Sequence, residues 1–198
     1  MLKNRLIPII VLKGEQVVQS LGFKRYLPIG NVKMAIEFFV NWDVDEISII
    51  DIDATKEGRG PRQDIVEKAC KECFIPLSVG GGINTIEKIR DTLRSGADKI
   101  IINEAAYKNT KFIEDAVKKY GSSTITISID AKRIDDEYFC FYRNGQINSG
   151  KTIKEWAKEL EGLGVGEILI NSIDRDGSRE GYDTDLLKIV TSNVTVPV

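Results

Sequence analysis

The chain has no histidine and three cysteines, set against 30 acidic and 28 basic side chains. Histidine is the usual general base at neutral pH and the commonest transition-metal ligand. Acid–base chemistry here therefore falls to carboxylates or lysines, and no metal site is expected. Cys70 and Cys73 have the C-x-x-C spacing of redox and zinc sites, but no second such pair completes a zinc set. They close a predicted helix rather than open one, where a thiolate would be stabilised, and so read as core filling. What remains are glycines and carboxylates placed directly after apolar runs. Gly81 and Gly82 follow LSVG, Asp130 follows ITISI, and Asp176-Gly177 follow ILINSIDR. Polar residues and glycines at the C-terminal ends of strands lie where a barrel fold places its site. The plainer reading is that the glycines are turn residues and Asp130 a strand-end cap.

The elements that position these residues occur twice. VDEISIIDIDATKEGRG (Val44–Gly60) returns as VGEILINSIDRDGSREG (Val165–Gly181) at an offset of 121 residues. Glu46 then meets Glu167, Asp53 meets Asp174, Gly60 meets Gly181 and, further on, Pro76 meets Pro197. Upstream the offset is 119, so Lys13 meets Lys132 and Val11 meets Asp130. Each copy is a β-branched run leaving through Asp and Gly, as a buried parallel strand does when it opens into a polar loop. A unit of this length is no solenoid repeat, whose period is roughly 20–50 residues.

Strand and helix signals alternate throughout. Strands are expected at Leu6–Leu12, Ile47–Asp51, Leu77–Val79, Lys99–Ile102, Ile125–Asp130 and Ile168–Asn171, with Val196–Val198 beginning a seventh. Helices are expected at Val32–Trp42, Arg62–Cys70, Thr110–Lys119, Ile153–Leu163 and Asp185–Thr191, with another, capped by Asn84 and Glu87, running through Ser95. Gly14–Gly30 reads as a long loop able to act as a lid. Tyr138–Tyr142 with the Asn144-Gly145 turn reads as a small exposed hairpin. Alternating βα units in two similar halves imply an α/β fold, a (β/α)₈ TIM barrel of two repeated half-barrels. A single domain over 1–198 is expected, stopping within strand seven with about two βα units missing.

A hydrophobic content of 42%, charged content of 29% and net charge of −2 suit a globular chain. No basic block points to nucleic acid, no apolar run suffices for a membrane span and no leader pattern opens the sequence, so a cytoplasmic protein is expected.

The motifs RLIP from Arg5, LSVGGGI from Leu77, GADK from Gly96, IDAKR from Ile129 and DRDG…GYD from Asp174 make the chain similar to the cyclase subunit of imidazole glycerol phosphate synthase. That resemblance implies a barrel docked on a glutaminase subunit at its N-terminal face, with ammonia passing through the centre to a bisphosphorylated substrate. It implies a catalytic role for Asp130, phosphate binding by Gly81, Gly82, Asn103, Asp176 and Gly177, and an ammonia gate of Arg5, Glu46, Lys99 and Glu167. Asp98 matches a partner-docking position, and no cofactor is implied.

The departures are equally specific. The family uses a second aspartate where this chain has Val11, and loss of a general acid or base costs about 10²–10⁴ in rate. Glu104 follows Asn103 in place of a small residue. At ~5 Å and an effective dielectric of ~20, its charge would oppose a phosphate by roughly 3 kcal/mol. Gln19 replaces an expected lysine. The pattern resembles family paralogues that join a glutaminase and a sugar amidotransferase in converting a surface-sugar acetamido group to an acetamidino group. The expected ligand is then a phosphorylated or nucleotide-linked small molecule. A genuine histidine-pathway cyclase and a non-catalytic scaffold for the glutaminase are the alternatives.

Overall fold

Four of the five residues in Ile47–Asp51 are buried, Ile47, Ser48 and Ile49 in succession. Burial on both faces is what a parallel strand covered by helices requires. The computed structural model describes residues 4–198. Its first part runs β1 (Ile9–Lys13), β2 (Gln16–Leu21), β3 (Arg25–Gly30), α1 (Val32–Asn41), β4 (Ile47–Asp51), α2 (Gln63–Glu72), β5 (Leu77–Gly80), α3 (Ile86–Arg94) and β6 (Lys99–Ile102). Then come α4 (Glu104–Lys108), α5 (Thr110–Tyr120), β7 (Ile125–Ile134), β8 (Glu137–Tyr142), β9 (Ile147–Thr152), α6 (Ile153–Gly162), β10 (Glu167–Ser172) and α7 (Thr184–Thr191). The chain divides into two compact units, one of residues up to Gln19 with Leu27–Ile101, the other of Ser20–Tyr26 with Ile102–Val198.

In the first unit β1 pairs in parallel with β4, β4 with β5, and β5 with β6. Ile10, Leu12, Ile47, Ile49, Leu77 and Val79 form the strand side of the core, and Ile36, Ile65 and Val66 the helix side. Each such side chain contributes about 1.5–3 kcal/mol on burial. Asn31 caps α1 by accepting from the Met34 N–H at 3.0 Å. The cap of α3 is Thr85, whose hydroxyl accepts from Lys88 N at 3.3 Å. The expected cap was Asn84; with the helix starting one residue later, Glu87 stands too near the cap to close a capping box.

In the second unit β7 and β10 are parallel, from Thr126 opposite Glu167 to Ala131 opposite Ser172. β7 then folds back on β8, and β8 on β9, both antiparallel. Thr152 and Glu155 close a capping box at the start of α6. Trp156, on that helix, is 0% exposed and stacks on Tyr107 at 4.7 Å between ring centroids.

The duplication is visible bond by bond. Ile47 N donates to Pro76 O at 3.0 Å, and Ile168 N to Pro197 O at 3.0 Å. Ile52 N donates to Leu12 O at 3.0 Å, and Ile173 N to Ala131 O at 2.8 Å. Asp53 accepts from Gly14 N at 3.1 Å, and its counterpart Asp174 from Arg133 N at 2.8 Å. The offsets of 121 and 119 residues are thus those of equivalent hydrogen bonds. Parallel strands alternating with helices in two equivalent halves are the fold class of a (β/α)₈ barrel.

Some elements differ from the sequence expectations. Gly14–Gly30 carries β2 and β3, hydrogen-bonded neighbours, instead of an irregular loop. The ladder of the first strand begins at Ile9, after Pro8, which has no N–H to donate. β8 is not an exposed insertion, since Tyr138, Cys140 and Phe141 are buried. The short α4 was not foreseen, and Val196–Val198 form no strand. Among the described residues no helix is long and apolar enough to cross a membrane.

Removing the fully buried indole should therefore be costly: Trp156→Ala is expected to lose about 3–5 kcal/mol of unfolding free energy in urea. Trp42 is 68% exposed, and Trp42→Ala should lose well under half as much. Equal losses would contradict the packing described.

Candidate active site

Asp130 stands where β7 meets the polar end of the second unit, 6% exposed. β10 sets Asn171 directly opposite it. The Asn171 side-chain amide donates to Asp130 Oδ1 at 3.0 Å. Asn103, just after β6, donates to Oδ2 at 3.3 Å and to the Ser128 carbonyl at 2.9 Å. Burial dominates the titration of Asp130, lifting its pKa from 3.8 to about 6; the two amides pull it down, and the Asp176 charge pushes it up. A carboxylate poised there can take up or release a proton near neutral pH.

Four acidic side chains are buried among the described residues: Glu46, Asp51, Glu104 and Asp130. Asp51 pairs with Arg59 at 2.5 Å. Glu104 pairs with Lys108 and with Arg143 at 2.8 and 3.3 Å. Burial disfavours the Glu104 charge, but the hydrogen bonds from Arg143 and Lys108 outweigh it and hold the carboxyl below its ordinary range. The repulsion of a phosphate expected from Glu104 is offset, because two cations on one carboxylate leave the group net positive. Asp130 alone of the four has no cation partner and rests on amides.

Asn103, expected to help hold a phosphate, thus gives its side chain to Asp130 and the Ser128 carbonyl. Gly81 and Gly82 turn the chain after β5 at φ +123° and +63°. A Cβ on Gly82 would lie 2.0 Å from the Arg59 carbonyl, and one on Gly81 2.4 Å from that of Asp51. Packing alone accounts for both glycines. Asp176 Oδ2 accepts from Ser20 Oγ at 2.6 Å and Phe23 N at 3.0 Å, while its carbonyl accepts from Gly22 N at 3.0 Å. Asp176-Gly177 therefore seat the β2–β3 tip; a Cβ on Gly177 would collide with Leu21 at 2.4 Å. Val11 lies on β1 opposite Ile50 of β4.

At the other end of the first unit, Glu46 Oε2 lies 2.8 Å from Arg5 Nη1 and 2.8 Å from Lys99 Nζ. Its Oε1 accepts from Ser78 Oγ. These are the three expected gate residues of the first unit; the fourth, Glu167, opens β10 in the second unit. Asp98 Oδ2 accepts from Leu77 N at 2.8 Å, so this expected docking residue also ties the start of β5. The sequence reading missed Asn171, Ser78, Lys108 and Arg143. Asn171 interrupts an apolar run and Ser78 sits inside one, which is a readable signal. Arg143 reaches Glu104 from a turn at φ +54° and leaves no such mark.

The cysteines are free, and burial pushes Cys70 up to about 11 and Cys140 up to about 12. Neither is a ready thiolate. No cluster of three or more metal-ligating side chains occurs among the described residues.

A parallel βα fold in two equivalent halves, with a buried carboxylate on β7, defines a barrel-type protein. The model of the family described as histidine biosynthesis protein matches residues 5–198. A Vibrio vulnificus protein with the provisional name imidazole glycerol phosphate synthase subunit hisF2 is 56% identical over 199 residues, covering 100% of this chain and 73% of its own length. A Campylobacter jejuni protein of the same provisional name is 43% identical over 198 residues, covering 79% of its length. A Clostridium botulinum imidazole glycerol phosphate synthase subunit HisF is 40% identical over 200 residues, covering 79% of its length. The chain belongs to the histidine biosynthesis protein family.

The raised pKa of Asp130 makes it a destabilising charge. Below about pH 4 it is protonated folded and unfolded alike. As pH rises the unfolded chain releases the proton first, so stability falls between about pH 4 and 6, by about 3 kcal/mol in total. Asp130→Asn should be more stable than the parent at pH 7.5 in urea unfolding, and the advantage should shrink toward zero at pH 4. An advantage independent of pH would refute the assignment.

Proposed function

We propose that the chain is the synthase-type barrel subunit of a glutamine amidotransferase system. It receives ammonia from a glutaminase docked at the N-terminal face and serves, with a sugar amidotransferase, the acetamidino modification of a surface-polysaccharide sugar. The observation that carries this reading is an imbalance. The Glu46 cluster with Arg5 and Lys99 is intact, whereas the acid–base centre holds Asp130 without the second aspartate that Val11 replaces. The 56% identity to a hisF2 protein, against 40% to a HisF subunit, supports grouping the chain with the hisF2 relatives. In it the protein is cytoplasmic.

Arg5 and Lys99, both on the buried Glu46 carboxylate, form the proposed gate together with Glu167. What passes in this reading is neutral ammonia, the species that attacks a carbon. Asp130 then acts as the proton acceptor or donor. The phosphate-binding role of Gly81, Gly82, Asn103, Asp176 and Gly177 stays part of the proposal, with Asn103 acting mainly through Asp130. The alternative of a true cyclase draws on the HisF relatives.

Lys99→Ala separates a passage from a scaffold. Folding is checked by circular dichroism, since a part-buried ion pair is being broken. In the complete three-component system, acetamidino formation from glutamine should change several-fold relative to formation from ammonium salt, because only the former needs the passage. An unchanged ratio in a folded, docked complex would show that the cluster is structural and the barrel a scaffold.

A further inference from the structure

The duplication supplies an internal control for the candidate centre. Asp130 and Asn171 are register neighbours across β7 and β10. Their counterparts at offsets of 119 and 121, Val11 and Ile50, are register neighbours across β1 and β4. The same backbone position pair is polar in one half and apolar in the other. Strand pairing does not need the asparagine, since Ile50 occupies the equivalent place in an intact ladder. The polar side chains come and go together.

Geometry says what the second does for the first. Asn171 Nδ2 donates to Oδ1 of Asp130 at 3.0 Å and lies 3.1 Å from Ser128 Oγ. Asn103 Nδ2 donates to the other oxygen, Oδ2, at 3.3 Å. Each carboxylate oxygen therefore holds one amide N–H, and the carboxyl plane is fixed from both sides. Amide donors cannot give up a proton, so they favour the ionised form of their acceptor without neutralising it. Arg or Lys in either place would have pinned the charge permanently, as Arg59 does for Asp51.

We propose that Asn171 is the positioning residue for Asp130, holding it together with Asn103 as an oriented, unprotonated acceptor with a lone pair free on each oxygen. That Asp130 uses this state in catalysis rests on the function proposed above. That Asn171 sets the state does not. The titratable groups facing Asp130 are Asp176, whose charge opposes its ionisation, and Tyr107 of α4 and Cys140 of β8, both kept neutral by burial. None of these donates to the carboxylate, so the amides are its stabilising contacts.

The test is a carbon-13 carboxyl titration of Asp130 in the full chain, which needs no substrate or partner and so stands apart from the identity of the reaction. The parent should titrate near 6, in line with its burial and two amides. Asn171→Leu, close in size but with no donor, should raise the midpoint by about one pH unit. Asn171→Thr, which keeps a hydroxyl donor, should fall between the parent and the leucine variant. Should the leucine variant fail to fold, the parent itself suffices: the Asn171 side-chain amide proton signal should follow the Asp130 titration with the same midpoint. A leucine variant with the parent's midpoint, or an Asn171 amide signal indifferent to that titration, overturns the proposal.

Discussion

A carboxylate removed from water must be given counter-charge or hydrogen bonds, or it gives up its charge. That constraint organises the polar interior of this protein. Glu46 is answered by Arg5 and Lys99, Asp51 by Arg59, and Glu104 by Arg143 and Lys108. These three are spent on structure or on a fixed local charge. Asp130 is answered by two amides only, and so keeps a proton equilibrium within reach of neutral pH. A group left with that freedom, at the end of a rigid parallel strand, is the kind that can do acid–base work.

Duplication explains how such a centre is built and how one half can lose it. The hydrogen bonds that end β1 and β7 are equivalent, as are those that Asp53 and Asp174 accept. The backbone tolerates either chemistry at the positions between them. Val11 and Ile50 fill one set with apolar surface, while Asp130 and Asn171 fill the other with a proton acceptor and its support. The scaffold is symmetric and the chemistry is not.

Much of this was legible beforehand. The βα alternation, the offsets and the bounds of Ile47–Asp51 and Lys99–Ile102 follow from runs of β-branched residues between helical patterns. Glu46, Lys99 and Asp130 stood out because they match the gate and catalytic positions that the resemblance implies. What was not legible depended on contacts distant in the chain. Arg143 meets Glu104 across 39 residues, which reverses the sign expected from Glu104 alone. Asp176 was read as an anion site, but Ser20 and Phe23 reach it across more than 150 residues. The β2–β3 hairpin was hidden because glycine and proline within Gly14–Gly30 read as loop. Asn171 was passed over because its partner lies on another strand.

Membership of the histidine biosynthesis family sets the comparison that matters most. Its cyclase chemistry, as the resemblance implies it, calls on two carboxylates; here Val11 stands in place of one, while the other, Asp130, is held by two amides. The most direct measurement is turnover of the bisphosphorylated histidine-pathway substrate with ammonium salt supplied, beside a genuine cyclase subunit. The account predicts turnover at least about a hundredfold slower, the scale on which a missing acid or base is felt. Turnover within tenfold of the genuine cyclase would contradict it.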